Sequence, residues 1–288
     1  DLYFELYHGH RTSPTSVRTP LVGEMFAQFM DHKTRMHSTE RNYRIAYERI
    51  IRGNYPVTQE RLEDDVKAFV RSSDDLRPAS VNTYLRQIAA FFNWMSIERD
   101  IKVPQRLIDR FGLRAKTQVL DFTDEEVVAM LGRNPDDELT RMLTVMVETG
   151  ARPVDLLTLD WDQVDLAGGI VTWRNKISKR PEARPVSKKA LAVLTAMRTE
   201  HPERSKVFRW AHSSLSRLTR TFASHLAACG IESNGRSLKH LRTTFKRRLM
   251  AKGLPFEVQM YLMRHQSADV TLGNYTSISP ASITAALD

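Results

Sequence analysis

Cysteine is nearly missing from this chain of 288 residues, where Cys229 stands alone. One thiol cannot close an intramolecular disulfide, and it rules out zinc sites built on cysteine pairs. Cys229 reads as a small buried residue on a helix, and a reducing cytoplasm suits it. The nine histidines include no His-Glu-x-x-His pair, the spacing that sets two imidazoles around zinc. Neither a metal nor another cofactor is therefore expected. Long apolar runs are also missing: none approaches the roughly 20 residues that cross a bilayer. Residues Asp1 to Pro20 lack the basic, apolar and small-residue succession of a signal peptide. Internal repeats and low-complexity tracts are absent.

What is present is a soluble, basic composition. Hydrophobic residues make up 41% and charged residues 27% of the chain, with a mean hydropathy of −0.41. Lys and Arg number 43 against 34 Asp and Glu, a formal charge of +9. That balance suggests a polyanionic partner, most simply nucleic acid. Placement says more than the total. Arg236, Lys239, Arg242, Lys246, Arg247, Arg248 and Lys252 fall in one short stretch with no acid among them, which reads as a phosphate-facing helix.

The length allows two compact domains. Residues 1–17 read as a polar tail. Residues 18–103 read as a helical unit, with Met25, Phe26 and Phe29 on one face and Tyr43, Ala46, Tyr47, Ile50 and Ile51 on the next. Thr58 is the expected N-cap of a third helix, and Pro78 opens a fourth that carries Tyr84, Leu85, Ile88, Phe91, Phe92 and Met95. The aromatic stripe is core; the polar sides, with Arg41, Arg44, Arg49, Lys67 and Arg86, are candidate DNA contacts. Residues 104–120 break periodicity and read as a linker. Residues 121–276 form a second domain, opened by Thr123 as a helix cap. Its strands are expected at 163–166, 170–173 and 183–186, the first two joined by Gly168-Gly169. Residues 277–288 form a tail. The fold class is thus mainly α with a small antiparallel β-sheet.

Within the second domain one set of residues carries chemistry. Tyr275 lies downstream of two separated arginines, Arg152 in Thr149-Gly150-Ala151-Arg152-Pro153-Val154-Asp155 and Arg242 in Lys239-His240-Leu241-Arg242. A phenol can attack phosphorus while two planar, permanently charged guanidiniums hold the equatorial oxygens. Arginine suits that grip because its fork meets phosphate bidentately.

At these motifs the chain resembles the tyrosine recombinase, or phage integrase, family, from about Leu21 to Tyr275. The front half is similar to the family's helical, SAM-like core-binding domain, most plainly at Ser80-Val81-Asn82-Thr83-Tyr84-Leu85 and Phe91-Phe92-Asn93-Trp94. The resemblance implies Arg152 and Arg242 as the two catalytic arginines, Asp155 as an acid that orients Arg152, and Tyr275 as nucleophile. His265, ten residues earlier, takes the place of the histidine that bonds the scissile phosphate. The lysine that protonates the 5′-oxygen is implied at Lys176, with Lys179 as the alternative. Two departures stand out. The His-x-x-Arg motif has Lys239 three residues before Arg242 and His240 two before, so Lys239 is favoured for that slot and His240 is the alternative. Met263-Arg264 stands where the family has Leu-Gly before its histidine.

The implied activity is site-specific cutting and rejoining of double-stranded DNA, without metal or ATP, in integration or excision of a phage or mobile element. It runs through a 3′-phosphotyrosine and a Holliday junction, on a homotetramer holding two core-type sites, with monomer or dimer expected off DNA. The compartment implied is the cytoplasm of a bacterial host. Residues 277–288, with Ile278, Ile283 and Leu287, either link subunits or pack back as a helix in cis. Too few residues precede Leu21 for the arm-binding domain that many phage integrases carry. Two other readings remain at this point: a type IB topoisomerase, and a DNA-binding regulator with an inactive site.

Overall fold

The computed structural model describes residues 18–32, 37–114, 119–174, 181–209, 215–264 and 287. The chain divides into two compact units at 117/118, each built round its own apolar core. Helices dominate, with one small antiparallel sheet.

In the first unit, α1 (Val22–His32), α2 (His37–Ile50), α3 (Gln59–Arg71) and α4 (Pro78–Arg99) gather an aromatic centre. Phe26 stacks on Tyr47 at 4.0 Å between ring centroids and meets Phe91 edge-on at 5.3 Å. Phe29, Phe91 and Phe92 are fully buried, and each such side chain contributes about 1.5–3 kcal/mol of transfer free energy. Thr58 accepts from the Arg61 amide at 3.2 Å, the cap expected from sequence. Asp65 is buried, yet satisfied: it accepts from the Arg52 amide at 2.9 Å and from the Tyr55 hydroxyl at 2.5 Å.

Residues 104–120, read as a linker, carry structure at their start. A short helix, α5 (Leu107–Phe111), buries Leu107 in the first core. Both polar ends of the Asn82 side chain then bond the backbone of Leu113, at 2.7 and 2.8 Å. A five-residue helix is too short to show a helical period, which explains why the sequence pattern missed it.

The second unit begins with α6 (Asp124–Gly132), whose capping box pairs Thr123 and Glu126 reciprocally. α7 (Glu138–Thr149) runs through the core and buries Leu139, Met142, Leu143, Val145, Met146 and Val147. It stops at Gly150 with φ +61°, a left-handed C-cap. Phe245 fills the space beyond: a Cβ on Gly150 would lie 2.3 Å from its ring. α8 (Pro153–Leu157) follows at once, with Pro153 in its first turn.

Strands β1 (Val164–Asp165), β2 (Ile170–Arg174) and β3 (Pro181–Pro185) pair in that order, with Val164 opposite Val171 and Thr172 opposite Ala183. They match the three expected runs within two residues. Val171 and Trp173 face the core. α9 (Lys188–Glu200), α10 (Leu215–Ala228), α11 (Lys239–Ala251) and α12 (Phe256–Leu262) complete the described α-helices. A satellite cluster joins Phe245, Leu249, Val258, Leu262, Met263 and Leu287.

The basic stretch around α11, expected to face phosphate, is partly paired within the fold. Arg236, just before the helix, forks onto Glu126 at 2.5 and 2.8 Å. Arg247 reaches Asp121 at 2.7 Å and Asp124 at 3.2 Å, and Arg248 reaches Asp124 at 2.8 Å. Those two arginines hold the Asp124 carboxyl below its ordinary range. Part of the run therefore anchors α11 to the start of α6. The acids that neutralise it lie over a hundred residues away in sequence, so no local pattern could reveal them.

Candidate active site

Arg152 and Arg242 are 90 residues apart in sequence, and the fold brings them to one place. Arg152 is the N-cap of α8, extended at φ −71° and ψ 146° because Pro153 follows it. Its amide donates to Asp155 Oδ2 at 3.2 Å, while its guanidinium stands 4.0 Å from the same oxygen and is about half exposed. Arg242, one turn into α11, is mostly buried. Its guanidinium donates to the Gly150 carbonyl at 2.6 Å and to the Met263 carbonyl. The second arginine is thus fixed on the backbone two residues before the first.

The electrostatics agree with that placement. Burial, with the charges of Arg152 and Arg264 adding to it, pulls Arg242 down to about 10. It stays a cation at neutral pH, but an electrically crowded one that an incoming anion would relieve.

Lys239 and His240 occupy different settings. Lys239 opens α11 with an exposed side chain. His240 is buried, and its Nδ1 accepts from the Ser237 amide at 2.7 Å, closing the turn that starts the helix. Burial and the neighbouring Lys239 charge push the imidazole below its ordinary value, which keeps it neutral. The His240 ring thus serves the start of the helix, whereas the Lys239 side chain is exposed. Consecutive helical residues point about 100° apart, so one slot cannot take both.

Two features of the site were not found by sequence reasoning. Arg264 is 4% exposed, donates to Asp155 Oδ2 at 2.6 Å and lies 4.6 Å over the Trp173 ring. Burial lowers its affinity for the proton, while Asp155 opposes that effect. The other is Glu182, buried on β3, whose charge favours the cationic forms of Arg242 and Arg264. The signal for Arg264 was in view: an arginine directly before His265 where the family has glycine. Tyr261 is partly exposed, with the Arg184 guanidinium 4.0 Å over its ring.

Lys176, Lys179, His265 and Tyr275 lie outside the described residues. The turn at Met263-Arg264, which leads into His265, is described and is held by Arg242 and Asp155. Among the described residues no group of three or more His, Cys, Asp or Glu is placed to hold a metal ion. No helix among them is long and apolar enough to cross a membrane.

Known proteins give the same outline. The family model described as "Phage integrase family" matches residues 121–281, more than half of the chain. No curated protein matches significantly. Among solved structures, a lambda integrase (75-356) dimer bound to a COC′ core site superposes with a TM-score of 0.70 at 17% identity, over 88% of this chain and 95% of that one. A lambda integrase tetramer bound to a Holliday junction gives 0.71 at 16% identity, over 93% and 83%. The Tn1549 transposon integrase (82-397) with circular intermediate DNA gives 0.68 at 17%, over 93% and 99%. At such identities the likeness is one of fold, and the family model carries the assignment: the chain belongs to the phage integrase family of tyrosine recombinases.

Proposed function

We propose that this protein is a site-specific recombinase that cuts double-stranded DNA with Tyr275 and rejoins it to a new partner. The observation that carries the reading is the convergence of Arg152 and Arg242 across the Gly150 turn. One guanidinium is buried and fixed by two carbonyls; the other stands half exposed beside it. Such a pair suits a phosphodiester whose nonbridging oxygens gain charge as the attacking oxygen arrives.

In this reading the Tyr275 phenolate attacks phosphorus in line. A P–O bond forms to the tyrosine, and the bond to the 5′-oxygen breaks. Lys176 gives that oxygen its proton, with Lys179 as the alternative donor. Lys239 and His265 donate hydrogen bonds to the nonbridging oxygens, and Asp155 orients Arg152 by accepting from its backbone amide. The phosphotyrosine keeps the bond energy, so ligation by a second 5′-hydroxyl needs no ATP or metal. Exchange of the second strands would resolve a Holliday junction, on a homotetramer holding two core sites. The related structures support this scheme: lambda integrase was solved as a tetramer on a Holliday junction, and the Tn1549 enzyme with its circular intermediate. Residues 18–103 and 121–276 would be the core-binding and catalytic domains, working in the DNA-containing compartment of a bacterial host. A role in integrating or excising a mobile element fits both relatives.

The test uses a pool of nicked duplexes of random sequence, in which cleavage beside the nick releases a short strand and traps the intermediate. The wild-type chain is expected to yield SDS-resistant protein–DNA adducts, and Tyr275→Phe to yield none. Absence of adducts from the wild type would sink the proposal, as would adducts that persist in Tyr275→Phe.

A further inference from the structure

Arg264 has an expensive setting for an arginine. Its φ is +53°, a left-handed conformation that costs any residue with a Cβ and that glycine adopts freely. Its guanidinium is buried, and among the described residues its Nε has no hydrogen-bond partner. Both costs are borne at one turn, which is held on every side. Arg242 bonds the Met263 carbonyl, Arg184 Nε bonds the Tyr261 carbonyl at 2.7 Å, and Trp173 lies beneath Arg264 itself. A side chain kept there at such cost calls for a reason beyond filling space.

The reason lies in how Asp155 is shared. This carboxylate faces two guanidiniums, and they are not equivalent. Arg264 takes Oδ2 at 2.6 Å from the buried side. Arg152 stands at 4.0 Å on the open side, joined to the same oxygen only through its backbone amide at 3.2 Å. A carboxylate next to a single half-exposed arginine would draw it into a close pair. With Arg264 in place, Asp155 is already neutralised and the Arg152 guanidinium keeps its outward reach. We propose that Arg264 is a positioning residue that occupies Asp155, so that Arg152 stays available to a phosphate instead of folding back onto the acid.

The proposal rests on the recombinase reading above, with Arg152 as a phosphate-gripping arginine. It makes a claim that simple structural support does not. Removing Arg264 should harm the site because it leaves Asp155 free to capture Arg152. Removing the Asp155 charge as well should then restore function, not worsen it.

Arg264→Gly is the natural variant, since glycine suits φ +53° and the backbone loses no comfort. The full-length chain would be used with the DNA duplex recovered from the wild-type adduct pool. Arg264→Gly is expected to cleave about 10- to 100-fold more slowly at saturating DNA, the range for a catalytic group displaced by about an ångström. The double variant Arg264→Gly/Asp155→Asn is expected to regain about 10-fold of that loss. Arg264→Lys, which keeps a cation beside Asp155, should fall between wild type and Arg264→Gly. Free of DNA, the side-chain Nε–Hε resonance of Arg152 in 15N-arginine-labelled protein should move in Arg264→Gly and return toward its wild-type position in the double variant.

An unchanged cleavage rate in Arg264→Gly overturns the proposal, and so does a double variant slower than the single one. A stationary Arg152 resonance overturns it as well. If Arg264→Gly does not fold, Arg264→Lys carries the test, and a cleavage rate and an Arg152 resonance both equal to wild type overturn the proposal. If the wild type forms no adduct, the recombinase reading falls, while the Arg152 resonance still decides whether Arg264 controls that side chain.

Discussion

A guanidinium has five donors in one plane, and Arg242 commits two of its edges to backbone carbonyls of Gly150 and Met263. Among the described residues no carboxylate forms an ion pair with this arginine, so its charge remains available to an anion. Arg152 is held differently, by its place as the cap of α8 and by an acid three residues on. The nearby His240 shows the opposite use of a polar group. Its Nδ1 accepts a backbone hydrogen, which only the neutral ring can do. Burial first, and the Lys239 charge second, push it below the ordinary 6.5. The sign follows from linkage. The unfolded chain takes up a proton near pH 6.5 while the folded chain resists, so the contribution of His240 is whole above that value and declines as pH falls through the window beneath it. Urea unfolding at pH 7.5, 6.5 and 5.5 should show wild-type stability falling faster than that of His240→Gln. The difference should be no steeper than about 1.4 kcal/mol per pH unit, the limit for one proton. Parallel pH curves for the two proteins would show that the ring titrates normally.

Elements give the site its geometry, and the turn after α7 is the clearest case. Gly150 must be left-handed to end the helix, its carbonyl must reach Arg242, and Phe245 packs where a Cβ would go. Gly150→Ala should therefore cost about 1–3 kcal/mol through backbone strain and displaced packing, measured by chemical denaturation. DNA cleavage should fall further than stability alone explains, because the acceptor that fixes Arg242 moves; a variant as stable and active as wild type would refute the turn's role. This turn was legible in sequence, since a glycine at a helix end and a proline just after it are local signals. The same holds for the caps at Thr58 and Thr123 and for the alternating run of β2, each decided within a few residues. α5 was not legible, because five residues cannot display a period. Nor was the state of the basic stretch on α11: its charges were plain, but Glu126, Asp121 and Asp124 sit far away in sequence. In the site, both arginines and Asp155 could be named from their motifs. The engagement of Asp155 by Arg264 could not, because it depends on a tertiary approach between residues 109 positions apart.

At the scale of the whole chain, a formal charge of +9 overstates what is free to meet DNA. Affinity for a duplex depends on counterions released, and a cation already paired within the fold releases few. Arg236, Arg247 and Arg248 hold the second unit together, whereas Arg41 and Arg86 of the first unit are exposed on helices whose other faces form its core. Each unit has its own core, so a surface change in one leaves the stability of the other intact. The two kinds of arginine should thus respond oppositely to removal. In a plot of log binding constant against log salt on a fixed duplex, Arg86→Ala should reduce the slope by about 0.9, the value for one lost phosphate contact, and leave unfolding unchanged. Arg247→Ala should leave the slope intact and lower the stability of the second unit by about 1 kcal/mol, since its pairs are partly exposed. If instead Arg247→Ala flattens the salt dependence, its pairing to Asp121 and Asp124 yields to phosphate when DNA arrives. The basic stretch of α11 would then be a binding surface after all.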